Sequence, residues 1–236
     1  DKPTQIWTQG ETESSSAWFP TIDKTNQKTT QEIYMTVPDK YVTLSNGIMK
    51  SSTKESGGLR TDHWVMDKKH APYLFFMGVG EYAIVKDKWR NIEVDYYVEK
   101  EYEPFAKQIF GNTPEMIEIF FKRLNYDYPW SKYAQITGRD FVSGAMENTT
   151  ATLHQESAQQ KPGDLIDENR WEDTIAHELF HHWFGDLVTA ESWSNLTVNE
   201  SFANYSQYLW NEHKYGKDIA DYGLMKEIRG YMMDPS

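Results

Sequence analysis

The sequence predicts an α+β protein, in which an antiparallel β-rich unit precedes a mainly helical one with a small mixed sheet. Three observations carry this. Short β-prone runs broken by turn clusters extend to about Lys86, one clean strand alternation occupies residues 91–98, and helical periodicity with start and stop residues follows. At 39% hydrophobic and 15% aromatic, 236 residues supply enough apolar material for a sizeable core.

Taken in order, residues 32–37, 41–44 and 73–79 read as strands, punctuated by Ser45-Asn46-Gly47 and Ser56-Gly57-Gly58. Within 91–98, Ile92, Val94, Tyr96 and Val98 alternate with polar neighbours. Thr113-Pro114-Glu115 reads as a helix start, with Thr113 as N-cap and Pro114 at the first helical position; Met116, Ile117, Ile119, Phe120 and Leu124 then form the buried face. A strand pair follows, 133–137 and a run through 144–153, joined by Gly138-Arg139-Asp140. After Pro162-Gly163 one helix ends near Gly185, and another runs from about Asn199 to Gly216, each closed by a glycine suited to a helix C-terminus. No internal repeat or low-complexity segment is present.

The formal net charge of −12 argues against a nucleic-acid surface, which needs clustered Lys and Arg. Without cysteine, disulfides and thiolate metal sites are excluded, so a transition-metal site must be built from His and carboxylates. No apolar run approaches the roughly 20 residues of a membrane helix. The chain opens Asp-Lys-Pro-Thr with no basic and apolar leader, so the expectation is that any signal peptide was removed or lies upstream. Compartment stays open between cytoplasmic and periplasmic or secreted, and oligomeric state has no signal. Asn-x-Ser/Thr matches at Asn148, Asn195, Asn199 and Asn204 fall inside or beside the candidate site and read as chance.

The strongest signal is His177-Glu178-Leu179-Phe180-His181, inside the apolar-periodic stretch 175–184. Residues four apart on a helix lie about 40° apart around its axis, so the two imidazoles project side by side and can grip one ion. Neutral imidazole suits zinc, and a catalytic zinc wants three protein ligands with one position open. Glu178 is rotated by roughly 100°, beside the ion and within reach of a water on it, a general base's position. Two surface histidines on an amphipathic helix are the bland alternative. Glu200 opens the next helix, eighteen residues beyond His181; alone, it reads equally as a helix N-terminal glutamate stabilised by the macrodipole.

With Glu200 the pattern becomes His-Glu-x-x-His-(x18)-Glu, which resembles the gluzincin metallopeptidases and, at this spacing, the aminopeptidase N family that also contains the leukotriene hydrolase. Gly144-Ala145-Met146-Glu147-Asn148 is identical to that family's Gly-Ala-Met-Glu-Asn signature. Read alone, the pentapeptide is a turn into an edge strand, which can accept an extended peptide as one more strand. The resemblance implies one Zn²⁺ per chain held by His177, His181 and Glu200, with Glu178 as base. It further implies that Glu147 pairs with the substrate's N-terminal ammonium and that Gly144 and Ala145 present backbone groups to the peptide. Thr8-Gln9-Gly10-Glu11, followed by Trp18-Phe19-Pro20 and Asp23, resembles a segment of the family's N-terminal β domain and makes Glu11 a second amine-recognition residue; Ser16 and Ala17 replace the usual arginines.

The resemblance covers essentially the whole chain. It implies the C-terminal part of a β-rich N-terminal domain at 1–87 and a truncated thermolysin-like zinc peptidase domain at 88–236. Departures are Thr197-Val198-Asn199-Glu200-Ser201, where the family commonly has Trp-Leu-Asn-Glu-Gly, and Asn195, where aspartate is frequent. The family's transition-state tyrosine falls past Ser236, and none of Tyr205, Tyr208, Tyr215, Tyr222 or Tyr231 takes that role. The expected activity is release of the first residue from peptides with a free N-terminus. Competing readings are an endopeptidase or epoxide hydrolase built on the same site, and a non-catalytic peptide-binding module.

Overall fold

A computed structural model describes residues 4–234. The strands, in chain order, are β1 (Gln5–Trp7), β2 (Thr29–Pro38), β3 (Val42–Ser45), β4 (Ile48–Lys54), β5 (Leu59–His70), β6 (Met77–Gly80), β7 (Tyr82–Trp89), β8 (Ile92–Glu99), β9 (Lys132–Gly138), β10 (Ala145–Met146) and β11 (Ala151–Gln155). The helices are α1 (Ala106–Phe110), α2 (Thr113–Leu124), α3 (Glu172–Phe180), α4 (Thr197–Tyr215) and α5 (Lys217–Met233).

Alternation dictates the first part. In β2 the residues Gln31, Met35 and Val37 turn inward while Glu32, Tyr34 and Thr36 face out, the period of a half-buried strand. It pairs antiparallel with β5, and β5 with β4, while β6 lies between β1 and β3. The core beneath joins Leu44, Trp64, Leu74 and Phe76 to Ala134, Ile136 and Leu153 from much later in the chain, so the β-rich unit and the helical one share apolar packing.

A five-stranded mixed sheet, ordered β10-β11-β9-β8-β7, carries the second part. Its interior strands β8, β9 and β11 are parallel, and β8 reaches β9 through α1 and α2. A second core of Tyr96, Phe110, Phe120, Tyr133, Leu179, Phe180, Trp183 and Trp210 fills the space between this sheet and α2, α3 and α4. No helix among the described residues is long and apolar enough to cross a membrane.

Several local expectations need correction. Pro72 lacks an N–H, and residues Pro72–Leu74 form a 3-10 turn, so the strand expected over 73–79 starts only at Met77. Asn112, not Thr113, is the N-cap of α2; the Thr113 hydroxyl instead donates to the Phe110 carbonyl at 2.6 Å. The run 144–153 is two strands, because Thr150 takes φ of +66° and turns the chain between β10 and β11. Regular helix in α3 stops at Phe180, short of Gly185, where the N–H of Gly185 turns to the Val188 carbonyl. Helix α5 was not anticipated, since Gly223 and Gly230 depress its helical propensity.

Candidate metal centre

Helix α3 ends so that His177 lies in its last turn and His181 at its C-cap, still with helical backbone angles. Their Nε2 atoms lie 3.0 Å apart. Glu200 occupies the first turn of α4, with carboxylate oxygens 3.3 Å from His177 Nε2 and 3.6 Å from His181 Nε2. Bonds of 2.0–2.1 Å to a tetrahedral zinc make ligand-to-ligand edges of about 3.3–3.4 Å, so this donor set and spacing suit such an ion.

Hydrogen bonds hold the donors in place. His181 Nδ1 sits 3.0 Å from the Phe184 carbonyl, which accepts its N–H and leaves Nε2 with a free lone pair. Burial pushes the proton affinity of His181 down, partly offset by Glu200 and by that hydrogen bond. The Gln207 amide lies 3.2 Å from His177 Nδ1. Burial raises the Glu200 carboxyl, but its hydrogen bond with His177 and the neighbouring imidazoles outweigh this and hold it below the ordinary value. The angle between α3 and α4 is fixed from the buried Glu172, which accepts from Trp210 Nε1 at 2.6 Å and from the Tyr215 hydroxyl at 2.9 Å.

Three further carboxyls converge beside the histidines. Glu178 is buried with Oε2 lacking a partner, and burial, followed by Glu147 and Glu200, raises its pKa well above the ordinary value. Donor atoms of Glu147, Glu178 and His181 lie within 4.8 Å of one another. Burial pushes Glu147 up to about 7, and its Oε1 has no partner. Glu11 is pushed up to about 8 by burial, then by Glu147 and Glu200. Packed acids of this kind stay protonated or await a cation.

Of the remaining candidates, Gly144 and Ala145 lie at the sheet edge. The Gly144 carbonyl accepts from Gln155 N at 3.0 Å, and Ala145 stands opposite His154 on the inner side. Met146 is buried, with Sδ 3.1 Å from Gln9 Nε2. Asn148 is fully buried, its side-chain atoms have no partner, and its carbonyl accepts from Ala151 N at 2.7 Å to close the turn.

Sequence reading missed the residues that hold these pieces together. The Thr150 N–H donates to His182 Nε2 at 2.9 Å, and its hydroxyl accepts from Gly47 N at 2.8 Å and Lys132 Nζ at 3.0 Å. Asn46 Nδ2 donates to the Leu74 and Thr149 carbonyls at 2.9 and 2.7 Å. The Tyr73 hydroxyl accepts from Asn199 Nδ2 at 3.1 Å. No motif spacing marks any of these.

Fold and site meet in one class: the chain belongs to peptidase family M1. The sequence profile described as the Peptidase family M1 domain matches residues 109–234, and the one described as the Peptidase M1 N-terminal domain matches residues 1–74. The chain is 31% identical over 209 residues to Tricorn protease-interacting factor F2 of Thermoplasma acidophilum, covering 87% of this chain and 26% of that protein. It is 30% identical over 223 residues to Aminopeptidase N of Oryctolagus cuniculus, with 91% and 23% covered. Against Aminopeptidase M1 of Arabidopsis thaliana it is 31% identical over 217 residues, with 89% and 24% covered. The chain thus spans about a quarter of the length of these relatives.

Proposed function

We propose that this chain carries the centre of a zinc-dependent aminopeptidase, which hydrolyses the first peptide bond of peptides with a free N-terminus. The observation that carries this reading is the crowding of Glu11, Glu147 and Glu178 beside His177, His181 and Glu200. Buried acids with raised proton affinity gain most from a cation, and a peptide's ammonium is a cation tethered one residue from the bond to be cut. Two of the relatives are named aminopeptidases, which supports the same choice.

Held by His177, His181 and Glu200, zinc would polarise the scissile carbonyl and lower the pKa of the attacking water. Glu178, buried beside that position, would take the proton of the attacking water and deliver it to the leaving amine. Glu147, joined by Glu11, pairs with the ammonium and excludes internal peptide bonds. The edge strand β10 offers backbone at Gly144 and Ala145 to an extended peptide; Met146 lies behind it, and Asn148 shapes the turn that aims Glu147. The helical unit is read as thermolysin-like, with a two-histidine helix followed by a glutamate-bearing one. The division expected between residues 87 and 88 would fall inside β7, a strand of the five-stranded sheet, so it is read instead as lying between β6 and β7, still within the interval that neither family profile covers.

The test combines zinc content with hydrolysis of leucine p-nitroanilide and its N-acetylated form. Expected are about one zinc per chain and rejection of the blocked substrate. No zinc bound from a metal-containing buffer, or equal cleavage of both, overturns the reading.

A further inference from the structure

One face of α4 reaches His177 from both ends of its ring. Glu200 and Gln207 lie two helical turns apart, within about 20° of each other around the axis, so both point towards α3. A Glu200 oxygen stands 3.3 Å from His177 Nε2, and the amide nitrogen of Gln207 stands 3.2 Å from Nδ1 of the same ring. Neighbouring contacts hold this face on α3: Ser206 Oγ is 3.2 Å from the Ala176 carbonyl, and Trp210 Nε1 donates to Glu172 at 2.6 Å.

The two imidazoles differ in what lies behind them. His181 Nδ1 faces the Phe184 backbone carbonyl, which can only accept. His177 Nδ1 faces a side chain whose tip carries both an oxygen and an NH₂ group, exchanged by a half-turn of the last bond. A neutral imidazole has one proton. With Nε2 given to an ion shared with His181 and Glu200, that proton sits on Nδ1, and the group behind it must accept. The oxygen of Gln207 can do so without carrying charge. A carboxylate in its place would make the ring more basic and hold the ion more firmly.

We propose that Gln207 is a positioning residue for His177: with its oxygen turned to the Nδ1 proton, it holds the ring in the tautomer that offers Nε2 to zinc, and as a neutral partner it sets a weaker grip than a carboxylate would. This rests on the zinc reading above. Space does not dictate the choice of an amide, since a cavity of about 540 Å³ between α4 and α5 borders Gln207. Lys226, Asp173 and Glu227 line it too, so a carboxylate there would meet charges of both signs.

The experiment measures the Kd for zinc, by competition with a chromogenic chelator, in the unaltered protein, in Gln207→Glu and in Gln207→Met, which keeps the length of the side chain but removes the acceptor. Binding is expected to tighten about tenfold in Gln207→Glu and to weaken about tenfold in Gln207→Met. In the zinc-loaded protein, the His177 Nδ1–H proton resonance should move downfield in Gln207→Glu, because a charged acceptor shortens the bond. Weaker binding in both variants would mark Gln207 as mere packing and overturns the proposal, as does an unmoved resonance. Equal Kd values in all three proteins overturn it while leaving the zinc reading intact, whereas an unaltered protein that takes up no zinc sinks both. Where Gln207→Met fails to fold, Gln207→Glu decides alone: tighter binding supports the proposal, and unchanged or weaker binding overturns it.

Discussion

The backbone N–H of Thr150 donates to His182 Nε2 at 2.9 Å, with φ of +66° at Thr150 aiming it there. Through this bond the turn after Glu147 is tied to the helix that carries His177 and His181. His182 completes the tie at Nδ1, 3.2 Å from the Glu178 carbonyl. A left-handed β-branched residue costs about 1–3 kcal/mol, and Thr150 recovers it by engaging its N–H, carbonyl and hydroxyl.

Replacing His182 with Phe leaves the buried Thr150 N–H without an acceptor. Stability should fall by about 1–3 kcal/mol, read from the urea midpoint, with zinc content retained because His182 faces away from the candidate ion. Loss of zinc in a folded His182→Phe protein would contradict this arrangement.

Trp210 is fully buried and donates to Glu172. Trp210→Ala should cost about 3–5 kcal/mol and loosen α4 against α3, weakening zinc binding because Glu200 moves with α4. Thermal midpoint and a zinc competition titration check the two effects; a large loss of stability with undiminished zinc affinity would show that Glu200 is positioned some other way.

Glu178→Gln preserves shape and removes the proposed base. Turnover should drop by about 10²–10⁴-fold with zinc still bound. Retention of activity would remove Glu178 from the mechanism.

Lys132 is buried with Nζ near Ser45 O, Thr150 O and Thr150 Oγ1, and burial pushes its pKa down to about 7, partly offset by Asp95 and Glu93. Between about pH 7 and the ordinary lysine value of 10.5, the unfolded chain binds the proton that the folded chain releases, so this group makes stability rise with pH in that window. The slope approaches about 1.4 kcal/mol per pH unit. Urea midpoints at pH 7.5, 8.5 and 9.5 should climb less steeply in Lys132→Met; identical slopes would place the titration elsewhere.

What was legible in the sequence followed from local geometry. His177, Glu178 and His181 share one turn of helix, so their relation is set by helical pitch alone, and Glu200 followed from a spacing rather than from a contact. The alternation in 91–98 became β8 because both faces of the strand find neighbours. Failures came where a side chain acts at a distance. Thr113 lost its capping role to the Phe110 carbonyl and Gln135, and Thr150 broke a run that reads as one strand. Tyr73, Asn46 and Lys132 are ordinary aromatic, turn and charged residues until tertiary structure brings them to their partners.

The two histidines and the contacts that join the β-rich unit to the rest of the chain differ in how far the chain must travel to build them. His177 and His181 meet as soon as one helical turn forms, whereas Asn46 and Thr149 are 103 positions apart and Gln5 and Arg139 are 134 apart. Closing such separations is slow compared with winding a helix. A refolding chain therefore sets the spacing of His177 and His181 early, and ties its β-rich unit to Thr149 and Arg139 late.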